Sequence, residues 1–227
     1  MRTASRYVPW SLSALLLAVA CSSAGNFGTP VQTRMAVHFA SAVRIQSALV
    51  RGDLDAARGP AETIWAADRI PDFGTEADPY VLEVREEARN IREARSYTDA
   101  VAATGRLAAA CGDCHERFGG GPNFQTSAAP MGDVLDTHMT RHVWAADRLW
   151  EGLLMASGGP WPAGAAILAE DPLAGSTLSG AATRHAERLA ALGREALAVT
   201  ERGDRAAVFG QVLATCGACH AEDAGGR

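Results

Sequence analysis

Along residues 35–49, and again along 139–153, buried-type positions return at alternating spacings of three and four. The first series is Met35, His38, Ala42, Ile45 and Leu49; the second is Met139, His142, Ala146, Leu149 and Leu153. That rhythm puts each series on one face of an α-helix, the stripe of a helix buried along one side in a bundle. The same periodicity, with proline and glycine as punctuation, predicts helices at about 31–51, 53–69, 78–97 and 99–118. A second set follows at about 131–156, 162–170, 176–202 and 204–221. Pro71 and Pro79 separate the second and third helices, and Pro160, Pro162 and Pro172 bound the short sixth. The expected fold class is all-α.

The two stripes are copies. Met35 to Ile45 matches Met139 to Leu149 at an offset of 104, with His38 on His142, Ala42 on Ala146 and Arg44 on Arg148. Further along, Arg89 matches Arg194, Asp99 matches Asp204 and Gly105 matches Gly210, at an offset of 105. A duplicated unit with one residue of slippage accounts for both offsets. Residues 119–130, rich in Gly, Pro and Ala, read as the linker. The expected units are therefore 30–118 and 131–222, each of four helices. Short connections make sequential helices antiparallel, so the expected architecture is two tandem four-helix bundles.

Composition narrows the partners. The chain has 227 residues, 48% of them hydrophobic and only 6% aromatic, which suits helices with small aliphatic cores better than sheets. Every one of its 21 basic residues is Arg, against 26 acidic residues, for a net charge of −5. No basic stripe for nucleic acid follows from that balance. Residues 1–20 have the form of an export signal: Arg2 and Arg6, then a short apolar run ending Ala18-Val19-Ala20-Cys21. The run resembles a bacterial lipobox, with Ala18 where Leu is usual, and implies lipidation of Cys21; cleavage as an ordinary secretory signal is the other reading. Losing residues 1–20 takes the net charge from −5 to −7. The expected location is the periplasmic side, tethered by lipid or freely secreted, and an acidic surface suits redox partner proteins carrying a basic patch.

The remaining cysteines carry the chemistry. Cys111-Gly112-Asp113-Cys114-His115 and Cys216-Gly217-Ala218-Cys219-His220 are two C-x-x-C-H units, one closing each half. In an exported chain this points to two covalent c-type haems. Residues i, i+3 and i+4 share a helix face, so both thiols can bond one porphyrin while His115 or His220 reaches its iron. A thioredoxin-like pair would need a βαβ setting, and no strand pattern surrounds either unit. Structural zinc would not call for the same five-residue unit twice. Two thiols three apart on a helix make a poor disulfide.

Four antiparallel helices with C-x-x-C-H on the last resemble the cytochrome c-prime family. Cys111 to Phe118 is similar to that family's signature, with an aromatic three residues after His115; the second copy, His220-Ala-Glu-Asp, lacks the aromatic. The resemblance implies an exported haem protein whose first helix supplies the distal side of the haem, and tandem duplication here would replace the dimer common in the family.

On that first helix the repeated His38 and His142 are the candidate distal iron ligands, because a buried imidazole needs a partner. Met35 and Met139, one turn away, are alternatives, and an open sixth position is a third. His138 falls opposite Arg34 and is expected to be peripheral; His185 falls opposite Tyr80, at a surface or haem edge. Arg44 and Arg148 suit either haem propionates or a solvated face. Trp65, Trp144, Trp150 and Trp161 read as packing. No catalytic constellation accompanies the two haems, so the expected function is electron transfer rather than an enzyme. Binding or sensing of a small gas such as nitric oxide or carbon monoxide requires an open iron, and a di-haem peroxidase would need a larger fold.

Overall fold

Local capping chemistry sets the starts of the second and fourth helices and the end of the fourth. The computed structural model describes residues 30–67, 74–125, 127–131, 135–170 and 180–225, and these are helical without strands. The expected leader and Cys21 lie outside the described residues. In the first half, α1 (Pro30–Val50) carries the first stripe. Next comes α2 (Leu54–Trp65), begun by the Asp53 carboxylate, which accepts from the Ala56 N–H at 2.9 Å. A 3-10 turn at Thr75–Ala77 leads into α3 (Asp78–Glu93), with Pro79 in its first turn.

The last helix of this half is α4 (Tyr97–Phe118). The Ser96 hydroxyl accepts from the Asp99 N–H at 3.1 Å and donates to the Asp99 carboxylate at 2.7 Å. This reciprocal cap is why α3 stops short of the expected residue 97, with Ala94 extended at ψ 130°. Gly119, at φ +67°, closes α4 in the left-handed conformation. The second half comprises α5 (Leu135–Leu154), α6 (Trp161–Ala169), α7 (Gly180–Ala198) and α8 (Arg202–Gly225).

Both stripes face inward: Ala42, Ile45 and Leu49 of α1, and Ala146, Leu149 and Leu153 of α5, are buried. Within each half, sequential helices pack on one another. The most extensive pairing, however, is between halves, where α4 meets α8. A Cβ added at Gly105 would overlap the Ala206 carbonyl oxygen, and one at Gly210 would lie 3.2 Å from the Val101 carbonyl oxygen. Position numbers rise along one helix as they fall along the other, so the pair is antiparallel. Ala206 is also the repeat counterpart of Val101, so the two contacts are related by a pseudo-twofold axis.

One apolar cluster runs through both halves, from Ile45, Leu49 and Leu107 to Leu149, Phe209 and Leu213. Trp150 and Trp161 are buried in it, while Trp65 and Trp144 pack on its edge. At α1 and α5 the Gln46 amide donates to the Asp147 carboxylate at 3.0 Å. Part of the 119–130 segment is tied down as well: Phe124 lies 5.7 Å from the Phe39 ring, and the Ser127 hydroxyl accepts from Trp144 Nε1 at 3.1 Å. No described helix is long and apolar enough to cross a membrane.

Candidate functional site

The first C-x-x-C-H unit forms the final turns of α4, which puts Cys111, Cys114 and His115 on one face as the i, i+3, i+4 spacing requires. That face borders a cavity of about 500 Å³ between α1, α3 and α4. Met35 and His38 reach the same cavity from α1, Tyr80 and Val84 from α3, and Phe118 from α4. The five residues singled out for the first half therefore meet around one largely apolar space. Its size lies within the ~300–1,000 Å³ of cofactor pockets.

His115 is fixed in one orientation. Its Nδ1 lies 2.8 Å from the backbone carbonyl oxygen of Leu154. A carbonyl only accepts, so Nδ1 carries a proton, and in the neutral ring Nε2 is the nitrogen with the lone pair. The other flank of the ring is covered by Gly121, at φ +118°, where an added Cβ would come within 3.0 Å of the imidazole. Only glycine allows both that backbone angle and that approach.

On the same cavity, His38 Nε2 is buried without a hydrogen-bond partner. Burial, and secondarily the nearby Arg34, lowers its pKa, so the ring is neutral at pH 7. A neutral imidazole with an orphaned buried nitrogen, on a cavity that also holds a C-x-x-C-H face, is the donor set a c-type haem would use. Cys111 and Cys114 are free thiols, and burial pushes Cys111 up to about 12.

The second set lies on α5 and α8. Cys216 and Cys219 are not joined in a disulfide, and burial pushes Cys216 up to about 12. His142 is half-buried, while the His220 ring is exposed on α8 and Met139 is 38% exposed. Burial, then His138 and Arg141, push His142 down to about 4. His138 is therefore not peripheral. Its ring stands edge-on to that of His142 at 4.2 Å, and its Nε2 is buried without a partner. The turn of α5 that carries His142 brings residue 138 onto the same face, four positions back.

His185 lies on α7 with Nε2 3.3 Å from the Glu222 carboxylate, whereas its counterpart Tyr80 lines the first cavity against Phe118. Arg148 is neither solvated nor free, being buried and paired with Glu151; Arg44 is exposed.

Three contributors escape sequence reading. One is the Leu154 carbonyl. The others are Tyr97 and Arg202, each the first residue of a unit's last helix and each the other's repeat counterpart. Arg202 donates to Asp113 and, at 2.8 Å, to Glu116. The Tyr97 hydroxyl reaches the Leu49 carbonyl and, at 3.0 Å, that of Leu213, and its pKa is raised by burial and by the neighbouring Cys216. Equal repeat positions were the available signal, but the unlike side chains concealed it. Among the described residues no group of three or more His, Cys, Asp or Glu is gathered as a metal cluster. No family model, curated protein or solved structure matches the chain.

Proposed function

We propose that this chain is an exported di-haem c-type cytochrome of the electron-transfer class, built as two tandem four-helix units. The observation that carries the reading is the first cavity: about 500 Å³, bordered by Cys111, Cys114, the oriented His115 and the orphaned nitrogen of His38. Cys111 and Cys114 would hold the porphyrin as thioethers, with His115 on one side of the iron and His38 on the other. In the second half Cys216, Cys219 and His220 take the corresponding roles, with His142 as the distal candidate. Bound haem c supplies an iron that gains and loses one electron. The protein's part is to keep His38 and His142 neutral and to keep water from the ring: burial disfavours imidazolium at both, and Val84 and Phe118 line the first cavity. Periplasmic redox proteins are the partners, and lipidated Cys21 is the tether to the membrane.

The test is intact mass together with the optical spectrum of the purified protein, oxidised and reduced. Two covalent haems and low-spin iron in both states are expected, with slow or no binding of carbon monoxide. His38→Ala should make one haem high-spin and gas-reactive, and His142→Ala the other. A chain mass without haem overturns the reading. A high-spin ferrous protein binding carbon monoxide rapidly at both haems would move it to gas binding, and a sulfur-to-iron band would transfer the distal role to Met35 and Met139.

A further inference from the structure

The antiparallel α4–α8 pair sets the N-terminus of each helix beside the C-x-x-C-H turn of the other. At one end Arg202, first residue of α8, lies over the first unit. Its guanidinium, 17% exposed, donates to Asp113 inside the C-x-x-C-H turn and to Glu116 just after it, and lies 3.5 Å and 3.4 Å from the carbonyls of Met155 and Ala156. The same end of α5 supplies the Leu154 carbonyl to His115, and a Cβ at Gly112 would overlap the Leu153 carbonyl. At the other end Tyr97, first residue of α4, lies over the second unit. Its hydroxyl occupies the space a Cβ on Gly217 would need, within hydrogen-bond reach of carbonyls of α1 and α8. Both C-x-x-C-H units thus carry glycine at their second position because the opposite half lies against them.

We propose that each haem turn is positioned by the opposite half: Arg202 for the site of Cys111–His115, and Tyr97 for the site of Cys216–His220. The inference rests on the haem reading above. Arg202 is a positioning residue with an electrostatic consequence. It is a cation with little solvent around it, set against two carboxylates beside the first site. Without it, Asp113 and Glu116 are left as uncompensated negative charge, which favours the ferric over the ferrous iron. Tyr97 carries no charge and acts by seating the turn around Gly217. Arg202 acts through a planar fork on two carboxylates, so lysine replaces its charge but not its geometry.

The experiment is a redox titration of the full-length holoprotein with electron paramagnetic resonance, the first-half signal being assigned from the His38→Ala variant. Arg202→Gln should lower the midpoint potential of the first-half haem alone, and Arg202→Lys should restore most of it. Tyr97→Phe should alter the signal of the second-half haem alone. If Arg202→Gln does not mature, Asp113→Asn with Glu116→Gln, which leaves the cation unopposed, should raise the first-half potential instead. An Arg202 or Tyr97 variant that perturbs the haem of its own half, or that moves neither haem while the melting temperature falls, overturns the proposal, as does an Asp113→Asn with Glu116→Gln protein whose first-half potential does not move. Intact mass separates the two failures: loss of the haem reading shows as a chain without two haems, whereas failure of cross-positioning shows two haems and the wrong one shifted.

Discussion

Replacing Gly105 by alanine tests the contact on which the two halves depend. In an isolated helix the change stabilises by roughly 1 kcal/mol, since glycine is a poor helix former. Here the new methyl would overlap the carbonyl oxygen of Ala206, a backbone atom of α8 that cannot rotate aside. The helices must separate along the most extensive pairing in the molecule, and overpacking of this kind costs about 1–3 kcal/mol. Lost contacts around Leu107 and Phe209 add to that cost. A net loss of about 2 kcal/mol should remain, a fall of roughly 4–8 °C in melting temperature for a chain of this size.

Gly203 is the control. It lies in the first turn of α8 with nothing within 4 Å of an added Cβ, so Gly203→Ala should leave stability unchanged or raise it. The double change Gly105→Ala with Gly210→Ala should cost less than the sum of the singles, because the first separates the helices for the second. Thermal unfolding followed by circular dichroism measures all of these. A Gly105→Ala protein as stable as the parent would show that α4 and α8 do not pack as described.

Acid should weaken the fold in a defined window. In protein made without haem, His142 is pushed from its ordinary 6.5 down to about 4, and His38 in the same direction. A depressed folded-state value means the contribution is complete above pH 6.5 and lost as pH falls through about 4, a difference of about 3 kcal/mol for His142. Urea midpoints between pH 7 and 4 should fall in the parent and less in His142→Gln; equal slopes would contradict this. At the other end of the chain, Cys21→Ser should release the protein into the aqueous phase of a detergent partition or block its processing. A freely soluble parent whose N-terminus begins beyond residue 21 would refute the tether.

Much of the architecture was legible because it is local. Stripes spaced by three and four, prolines and Ser/Asp caps act within a few residues, so the helix set came close to its observed limits. The α3–α4 break was expected but lies earlier than the pattern put it, because the Ser96–Asp99 cap starts α4 at Tyr97; α2 and α7 also end about four residues short of their expected limits. The repeat placed His38 and His142 at matching positions, and the C-x-x-C-H spacing chose the face of α4. What the sequence hid was tertiary. Gly105 and Gly210 look like weak helix formers until α8 is laid on α4, when they become the points of closest approach. The Leu154 carbonyl belongs to no side chain. His138 drew its weight from a mismatch with Arg34, yet its ring touches His142.

These hidden contacts share one origin. A contact in which Gly105 meets Ala206 while Gly210 meets Val101 is isologous in form, the arrangement of a twofold dimer, here contained in one chain. Such an interface places each unit's last helix against the other's, with the two C-x-x-C-H turns at opposite ends, about 25 Å apart along the pair by helical rise. Each turn is thereby closer to the opposite half's helix start than to the other turn. The backbone contact is symmetric, but the side chains around it have diverged: Tyr97 against Arg202, Tyr80 against His185, Arg34 against His138. A guanidinium and two carboxylates surround one turn, and an uncharged hydroxyl seats the other. On the haem reading proposed above, the two turns would offer the same covalent chemistry in different electrostatic surroundings. A duplication fused in one chain, as the repeat implies, would permit this where an identical-subunit dimer does not, because only in a single chain can the two partners of an isologous contact change independently.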